Sequence, residues 1–212
     1  HGLGGGSGGR WADGRKLVFS GDLGPTGTPI LRDPTPIREA DLLLMESTYG
    51  DRNHRERSAT IRELGDILDA AWRDGGNVLI PAFAVGRSQE LLYWFARFWD
   101  DWKMSRWRVF LDSPMANRVL KVYDRHHALF DAEARDVWRG TPNPFRLPNL
   151  HATVTTGESM AINRIERGAV VIAGSGMANG GRILHHLRHR LGRREAHVVF
   201  VGYQAEGTLG RK

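Results

Sequence analysis

Val78-Leu79-Ile80-Pro81, then Ala82-Phe83-Ala84-Val85, then Gly86-Arg87-Ser88 opening an apolar-periodic run over residues 89–98, forms one complete strand, loop and helix. The strand is apolar at successive positions and too short for a helix, so it reads as buried on both faces. The same unit recurs outward from it. On its N-terminal side Ile61, Leu64, Ile67, Leu68 and Ala71 share one helical face, which Gly75-Gly76 ends; Thr60 and Glu63 have the spacing of a capping box. On its C-terminal side Arg108-Val109-Phe110-Leu111 leads through Asp112-Ser113-Pro114 into a helix over residues 116–130. After a Pro- and Asn-containing stretch over 141–149 come a strand over 169–173, a glycine loop over 174–181 and a helix over 182–190. A last strand is expected over 197–201. Strands alternating with helices of this length predict an α/β fold with a mostly parallel, Rossmann-like sheet covered by helices on both faces. Ligands of such sheets bind along the edge where the strands end, which carries residues 83–87, 112–115, 175–182 and 203–207.

The N-terminal quarter differs. Residues 2–9, nearly all glycine, resemble a flexible linker and are not expected to form a packed strand. Lys16-Leu17-Val18-Phe19 reads as a strand that turns at Ser20-Gly21-Asp22. Asp41-Leu42-Leu43-Leu44-Met45-Glu46-Ser47-Thr48-Tyr49-Gly50-Asp51-Arg52 reads as a second strand, buried on both faces and ending at Glu46. Two carboxylates, Asp22 and Glu46, therefore stand at strand ends. Glu46 is equally explained as a partner for the backbone donors of a Ser-Thr-Gly-Asp turn and as a group that orients a catalytic side chain in a cleft.

With 41% hydrophobic and 25% charged residues in 212, the chain has the composition of a globular protein. No apolar run approaches the roughly 20 residues of a membrane span, and the first residues carry no secretory pattern, so the expectation is a cytoplasmic protein with no membrane partner. The absence of cysteine excludes disulfides, thiolate metal sites and cysteine nucleophiles. Any metal must be held by His, Asp or Glu. The net charge is +6, and 26 of the 30 basic residues are arginine, whose planar fork suits phosphate. A GC-rich genome produces the same arginine bias without any binding role.

Among residues able to carry chemistry, Gly174-Ser175-Gly176-Met177-Ala178-Asn179-Gly180-Gly181 follows a strand and opens a helix, where backbone amides and Arg182 suit an anion. The alternative is a glycine turn for close helix packing. It lacks the P-loop lysine and the dinucleotide spacing. Asp112 and Ser88 are each explained by helix capping. Arg87, a cation at a helix start, calls for an anionic partner. His126, His127, His185, His186 and His189 read as surface or packing residues; His185 and His189 have the i, i+4 spacing of a metal pair without the intervening glutamate. Trp94, Trp99, Trp102 and Trp107 read as core rather than base-stacking platforms.

Taken in order, these motifs resemble the β-CASP family of metallo-β-lactamase-fold nucleases, whose members include ribonuclease J and the polyadenylation endonuclease. Ser20-Gly21-Asp22-Leu23-Gly24 is similar to the family's metal-bridging aspartate motif, and Glu46-Ser47-Thr48-Tyr49-Gly50 to the acidic motif that opens the β-CASP insertion in its RNA-processing branch. Residues 81–87, Asp112-Ser113-Pro114-Met115, Ser175-Gly176-Met177 and Gly202-Tyr203-Gln204 with Gly207-Thr208-Leu209 match successive strand-end motifs. The resemblance covers residues 15–212. His1 is similar to a family metal ligand, although glycines follow it where the family has an apolar strand.

The resemblance implies a partial metallo-β-lactamase αββα domain over residues 1–54, a β-CASP domain over 55–205 and the start of a return to the first domain over 206–212. It implies a zinc-dependent ribonuclease of RNA processing or decay in which two zinc ions and a bridging hydroxide attack a phosphodiester. Asp22 would bridge the metals, with His1 a further ligand, and Glu46 would hold a ligand histidine in place. Arg87, Ser113, Ser175, Gly176, Met177, Arg182, Tyr203 and Gln204 would border RNA. The family's His-x-His-x-Asp-His motif would precede residue 1 and its two late histidines would follow residue 212, so this segment alone is expected to be inactive. A non-catalytic RNA-binding or scaffold subunit is the alternative, and a module for a small anionic ligand is a third reading. Homodimerisation is left open.

Overall fold

The computed structural model describes residues 7–10, 14–24, 26–140 and 142–212. Near the N-terminus, strand β1 (Ser7–Arg10) runs antiparallel to β2 (Lys16–Phe19), which pairs in parallel with β3 (Leu42–Leu44). Helix α1 (Arg57–Arg73) leads into β4 (Asn77–Pro81), α2 (Arg87–Arg97) and β5 (Arg108–Asp112). Helices α3 (Pro114–Arg125) and α4 (Ala132–Arg139) precede β6 (Leu150–Ala152). Then follow α5 (Thr156–Ile162), β7 (Ala169–Ala173), α6 (Arg182–Arg190) and β8 (Ala196–Val198). Strands β4 to β8 form one five-stranded sheet in the order β6-β5-β7-β4-β8, every neighbouring pair parallel.

Side chains of a strand alternate between faces, and the core divides accordingly. Val78 and Ile80 of β4, Val109 and Leu111 of β5, and Val170 and Ile172 of β7 pack with Leu64 and Leu68 of α1, Leu92 and Phe95 of α2, Leu120 of α3 and Ala134 of α4. Leu79, Phe110, Val171 and Ala173 face the other way, onto Ile162 of α5 and Ile183 and Leu187 of α6. Each fully buried aliphatic side chain contributes about 1.5–3 kcal/mol, so this two-sided layer is the main source of stability. Ile30, from the loop before β3, is 2% exposed and joins the first cluster, and the Asp131 amide donates to its carbonyl at 3.2 Å. That loop fastens the smaller sheet to the larger.

Several expectations change. Residues 7–10 form a strand despite their glycines, because an edge strand needs only backbone donors and acceptors to pair with β2. The apolar run of β3 is exposed rather than buried: Leu42, Leu43, Leu44 and Met45 are all about half accessible, since no helix of the described residues covers the three-stranded sheet. Thr60 is no N-cap. Helix α1 is already wound at Arg57, and the Thr60 hydroxyl donates back to the Glu56 carbonyl. The helix expected over 116–130 begins at Pro114, stops at Arg125 and continues as a short 3-10 turn, His127–Leu129. Strand β6 and helices α4 and α5 escaped the sequence reading: β6 has three residues and α5 seven, too short for a periodic pattern.

Candidate nucleic-acid interface

The ends of β2 and β3 are tied together residue by residue. The Ser20 amide donates to the Leu44 carbonyl at 2.9 Å, and the Glu46 amide to Ser20 Oγ at 3.0 Å. Glu46 then accepts from the Leu23 amide (3.0 Å) and from the Thr48 amide (3.1 Å). The Thr48 hydroxyl and these two amides favour the charged form and hold the Glu46 carboxyl below its usual range. Glu46 thus acts as the turn partner that the plainer sequence reading described, and one of those turns carries Asp22, which is exposed. The two strand-end carboxylates are brought to one corner. His1 lies outside the described residues.

At the carboxyl edge of the parallel sheet the loop over residues 174–181 closes on itself. The Ser175 amide donates to the Gly180 carbonyl, the Gly180 amide to Ser175 Oγ, and the Ile183 amide to the Gly174 carbonyl. Gly181 has φ +76° and a Cβ there would stand 2.3 Å from the Gly174 oxygen, so only glycine fits. The C-terminal segment straps the loop from outside: Gln204 Nε2 donates to the Gly176 carbonyl at 2.9 Å, the Leu209 amide to Asn179 Oδ1, and the Gly210 amide to the Met177 carbonyl. Ser175, Gly176, Met177, Tyr203 and Gln204 are therefore one assembly. Ser113 lies at the neighbouring strand end, where its hydroxyl caps α3 by accepting from the Ala116 amide at 3.2 Å.

Two cations expected to face phosphate are otherwise engaged. Arg182 turns inward, donating to Asp112 Oδ1 at 2.7 Å and to the Val154 carbonyl at 2.7 Å. Arg87 pairs with Glu90 at 2.6 Å across one helical turn while staying 41% exposed. The anionic partner its position demanded is its own helix neighbour.

Asp112 is not a helix cap but the centre of a buried charge cluster. It is fully buried, and besides Arg182 it accepts from Thr153 Oγ1, Ser159 Oγ and His186 Nε2. Burial alone would raise its pKa; hydrogen bonds from His186, Ser159, Thr153 and Arg182 outweigh that and hold the carboxyl far below the normal range. His186 Nδ1 meets Asn163 Oδ1 at 3.1 Å, an oxygen that also accepts from Arg190. Arg182, His186 and Arg190 recur every four residues along α6 and turn one polar stripe inward. That spacing is present in the sequence, whereas His185 and His189, which share the i, i+4 spacing of a metal pair, are both exposed. Of the tryptophans, Trp107 is buried, and Trp94, Trp99 and Trp102 pack against the core as expected.

The two regions meet through aromatic rings. Tyr49, from the turn after Glu46, lies 4.2 Å from His54 and 5.3 Å, edge-on, from Tyr203. No group of three or more His, Asp or Glu able to hold a metal gathers among the described residues, so these residues do not complete a zinc site. None of the described helices is long and apolar enough to cross a membrane.

Comparison with known proteins gives a consistent picture. The sequence profile of the Beta-Casp domain matches residues 88–212. Ribonuclease TTHA0252 of Thermus thermophilus is 47% identical over 198 residues, which cover 93% of this chain and 46% of that protein. An RNase J-like protein of Methanocaldococcus jannaschii is 29% identical over 203 residues, 94% of this chain and 46% of that protein. The transcription termination factor FttA of the same organism is 32% identical over 201 residues, 92% of this chain and 31% of that protein. The chain spans less than half the length of these relatives.

Proposed function

The chain belongs to the β-CASP family, and from that premise we propose that it is the central part of a zinc-dependent ribonuclease. In this reading residues 1–54 are the end of a metallo-β-lactamase domain, 55–205 the β-CASP domain and 206–212 the start of the return. RNA lies between the Asp22–Glu46 corner and the loops at the carboxyl edge of the parallel sheet. One observation supports this placement: Tyr203 packs edge-on against Tyr49, which brings the strap over the Ser175 loop beside the turn after Glu46. The identity to a protein named as a ribonuclease supports the activity.

Asp22 would supply one carboxylate ligand for the zinc. Glu46, kept ionised by the Thr48 and Leu23 donors, positions the turn that bears Asp22. Gly176, Met177, Ser175, Ser113, Tyr203, Gln204 and the exposed part of Arg87 form the RNA-facing rim. Arg182 acts through Asp112 rather than on phosphate, positioning the start of α6 and hence the Ser175 loop. In this reading cleavage belongs to the whole protein, since the chain spans less than half the length of its relatives, and the segment by itself is expected to bind RNA without cleaving it.

The test compares the 212-residue segment with the complete gene product on single-stranded RNA and zinc. Cleavage by the complete product that is lost in Asp22→Ala, with RNA binding kept, is the expected result. Cleavage by the segment alone, or cleavage indifferent to Asp22→Ala, would overturn the assignment.

A further inference from the structure

On the rim assigned above to RNA the arginines are paired: Arg182 with Asp112, Arg87 with Glu90 and, beside Tyr49 and Tyr203, Arg52 with Asp51. The rim is rich in exposed rings. Among the described residues the exposed large aromatics are Phe19, Trp72, Phe83, Phe200 and Tyr203, and three of these five, Phe83, Phe200 and Tyr203, gather where β4 and β8 end. Phe83 is 48% exposed although it directly follows the buried Ala82. Its ring lies on Gly176, where a Cβ would come within 2.7 Å of it, so glycine at 176 leaves the space the ring occupies. The Gly176 carbonyl accepts from Gln204, whose neighbour Tyr203 is 37% exposed and meets Tyr49, and Tyr49 in turn meets His54. Phe83 and the Tyr203, Tyr49 and His54 group are thus linked through one glycine, Phe83 by packing on it and Tyr203 through its neighbour Gln204, with one platform from the loop after β4 and one shared between the two sheets.

Exposing two such platforms to water costs free energy that a core position would recover, and each offers a flat apolar face beside polar backbone. Bases of single-stranded nucleic acid fit this chemistry, because every base has a π-face and stacks without demanding a sequence. We propose that Phe83 and the Tyr49–Tyr203 pair are base-stacking platforms that hold two separate nucleotides of a single-stranded RNA, so that this edge grips bases rather than phosphates. The inference rests on the RNA-cleft reading above and adds to it the mode of grip, the roles of Phe83 and Tyr49, and selection against duplex RNA, whose bases are already stacked.

The experiment measures binding of a 12-nucleotide single-stranded RNA to the complete gene product by fluorescence anisotropy, in chelator to prevent cleavage. The same oligomer with abasic sites and a matched duplex are measured alongside. Phe83→Ala and Tyr203→Ala should each weaken binding to the intact strand about tenfold or more, as loss of a base–aromatic stack does. Phe83→Tyr and Tyr203→Phe, which keep a ring, should restore it, and thermal denaturation should show all four variants folded. The abasic strand should bind weakly to the wild type and equally weakly to the alanine variants, and the duplex should compete poorly. Unchanged affinity of both alanine variants for the intact strand would overturn the proposal, as would abasic RNA binding as tightly as intact RNA; either leaves the rim as a backbone-reading surface or a docking site for another protein. A wild type that binds no RNA at all would instead sink the RNA-cleft reading.

Discussion

Leu43 and Leu79 are the same residue at the middle of short strands, each flanked by apolar neighbours and each paired in parallel. Leu79 is completely buried; Leu43 is 52% exposed. The backbone ladder is therefore not what buries a strand. Leu79 lies in a sheet with α5 and α6 on one face and α1 to α4 on the other, whereas the described residues place no helix over β3. Hydrogen bonding within a sheet satisfies polar groups, and only a second layer removes apolar surface from water.

The contrast between the two sheets can be tested by substitution. The largest effect is expected within the larger sheet at its one buried carboxylate: Asp112→Ala leaves Arg182 without its counter-charge and His186 without its hydrogen-bond partner, and should cost about 3–5 kcal/mol by urea denaturation. A loss below about 1 kcal/mol would show that solvent reaches the cluster. Its folded-state pKa lies below the unfolded value, so this stabilisation is complete above the ordinary carboxylate pKa and is lost as pH falls below it. Wild-type stability should therefore drop steeply on the acid side, and an Asp112→Asn variant should show a shallower fall between neutral pH and about pH 3.

Next, Leu79→Ala should cost about 2–5 kcal/mol. Gly181→Ala, with a left-handed backbone and a Cβ driven against the Gly174 oxygen, should cost roughly 1–3 kcal/mol and distort the Ser175 loop, visible as faster amide exchange at Ser175 and Gly180. Loss of the Ser113 cap in Ser113→Ala should cost about 1 kcal/mol. Leu43→Ala should change the stability of the segment by about 0.5 kcal/mol or less. If Leu43→Ala matched Leu79→Ala, β3 would be covered in solution and the contrast between the sheets would disappear.

Much of the larger sheet was legible in the amino-acid order. Val78-Leu79-Ile80 and Ala169 to Ala173 are apolar on both faces, and helix α2 follows β4 with an 11-residue amphipathic pattern, so alternation alone required a parallel, two-sided sheet. Asp22, Glu46 and the Ser175 loop could be placed at strand ends by the same logic. Their partners could not. Whether Arg182 faces a phosphate or Asp112 depends on residues 70 positions apart, and nothing in the local pattern of α6 tells an inward arginine from an outward one until Asp112, Thr153 and Ser159 are brought beneath it. Likewise Leu42-Leu43-Leu44 carries the signature of a core strand, because hydrophobicity records what a segment would gain from burial and not whether a covering layer is present.

The sequence by itself thus determined the order of elements, the parallel sheet and the carboxyl edge where chemistry gathers, since strand and helix periodicities are local properties of the chain. Tertiary structure alone decided which charges are spent on one another, which rings remain open to solvent and which of two similar strands is buried. Those outcomes depend on contacts between distant segments, where hydrogen-bond geometry and excluded water, rather than residue type, set the free energy.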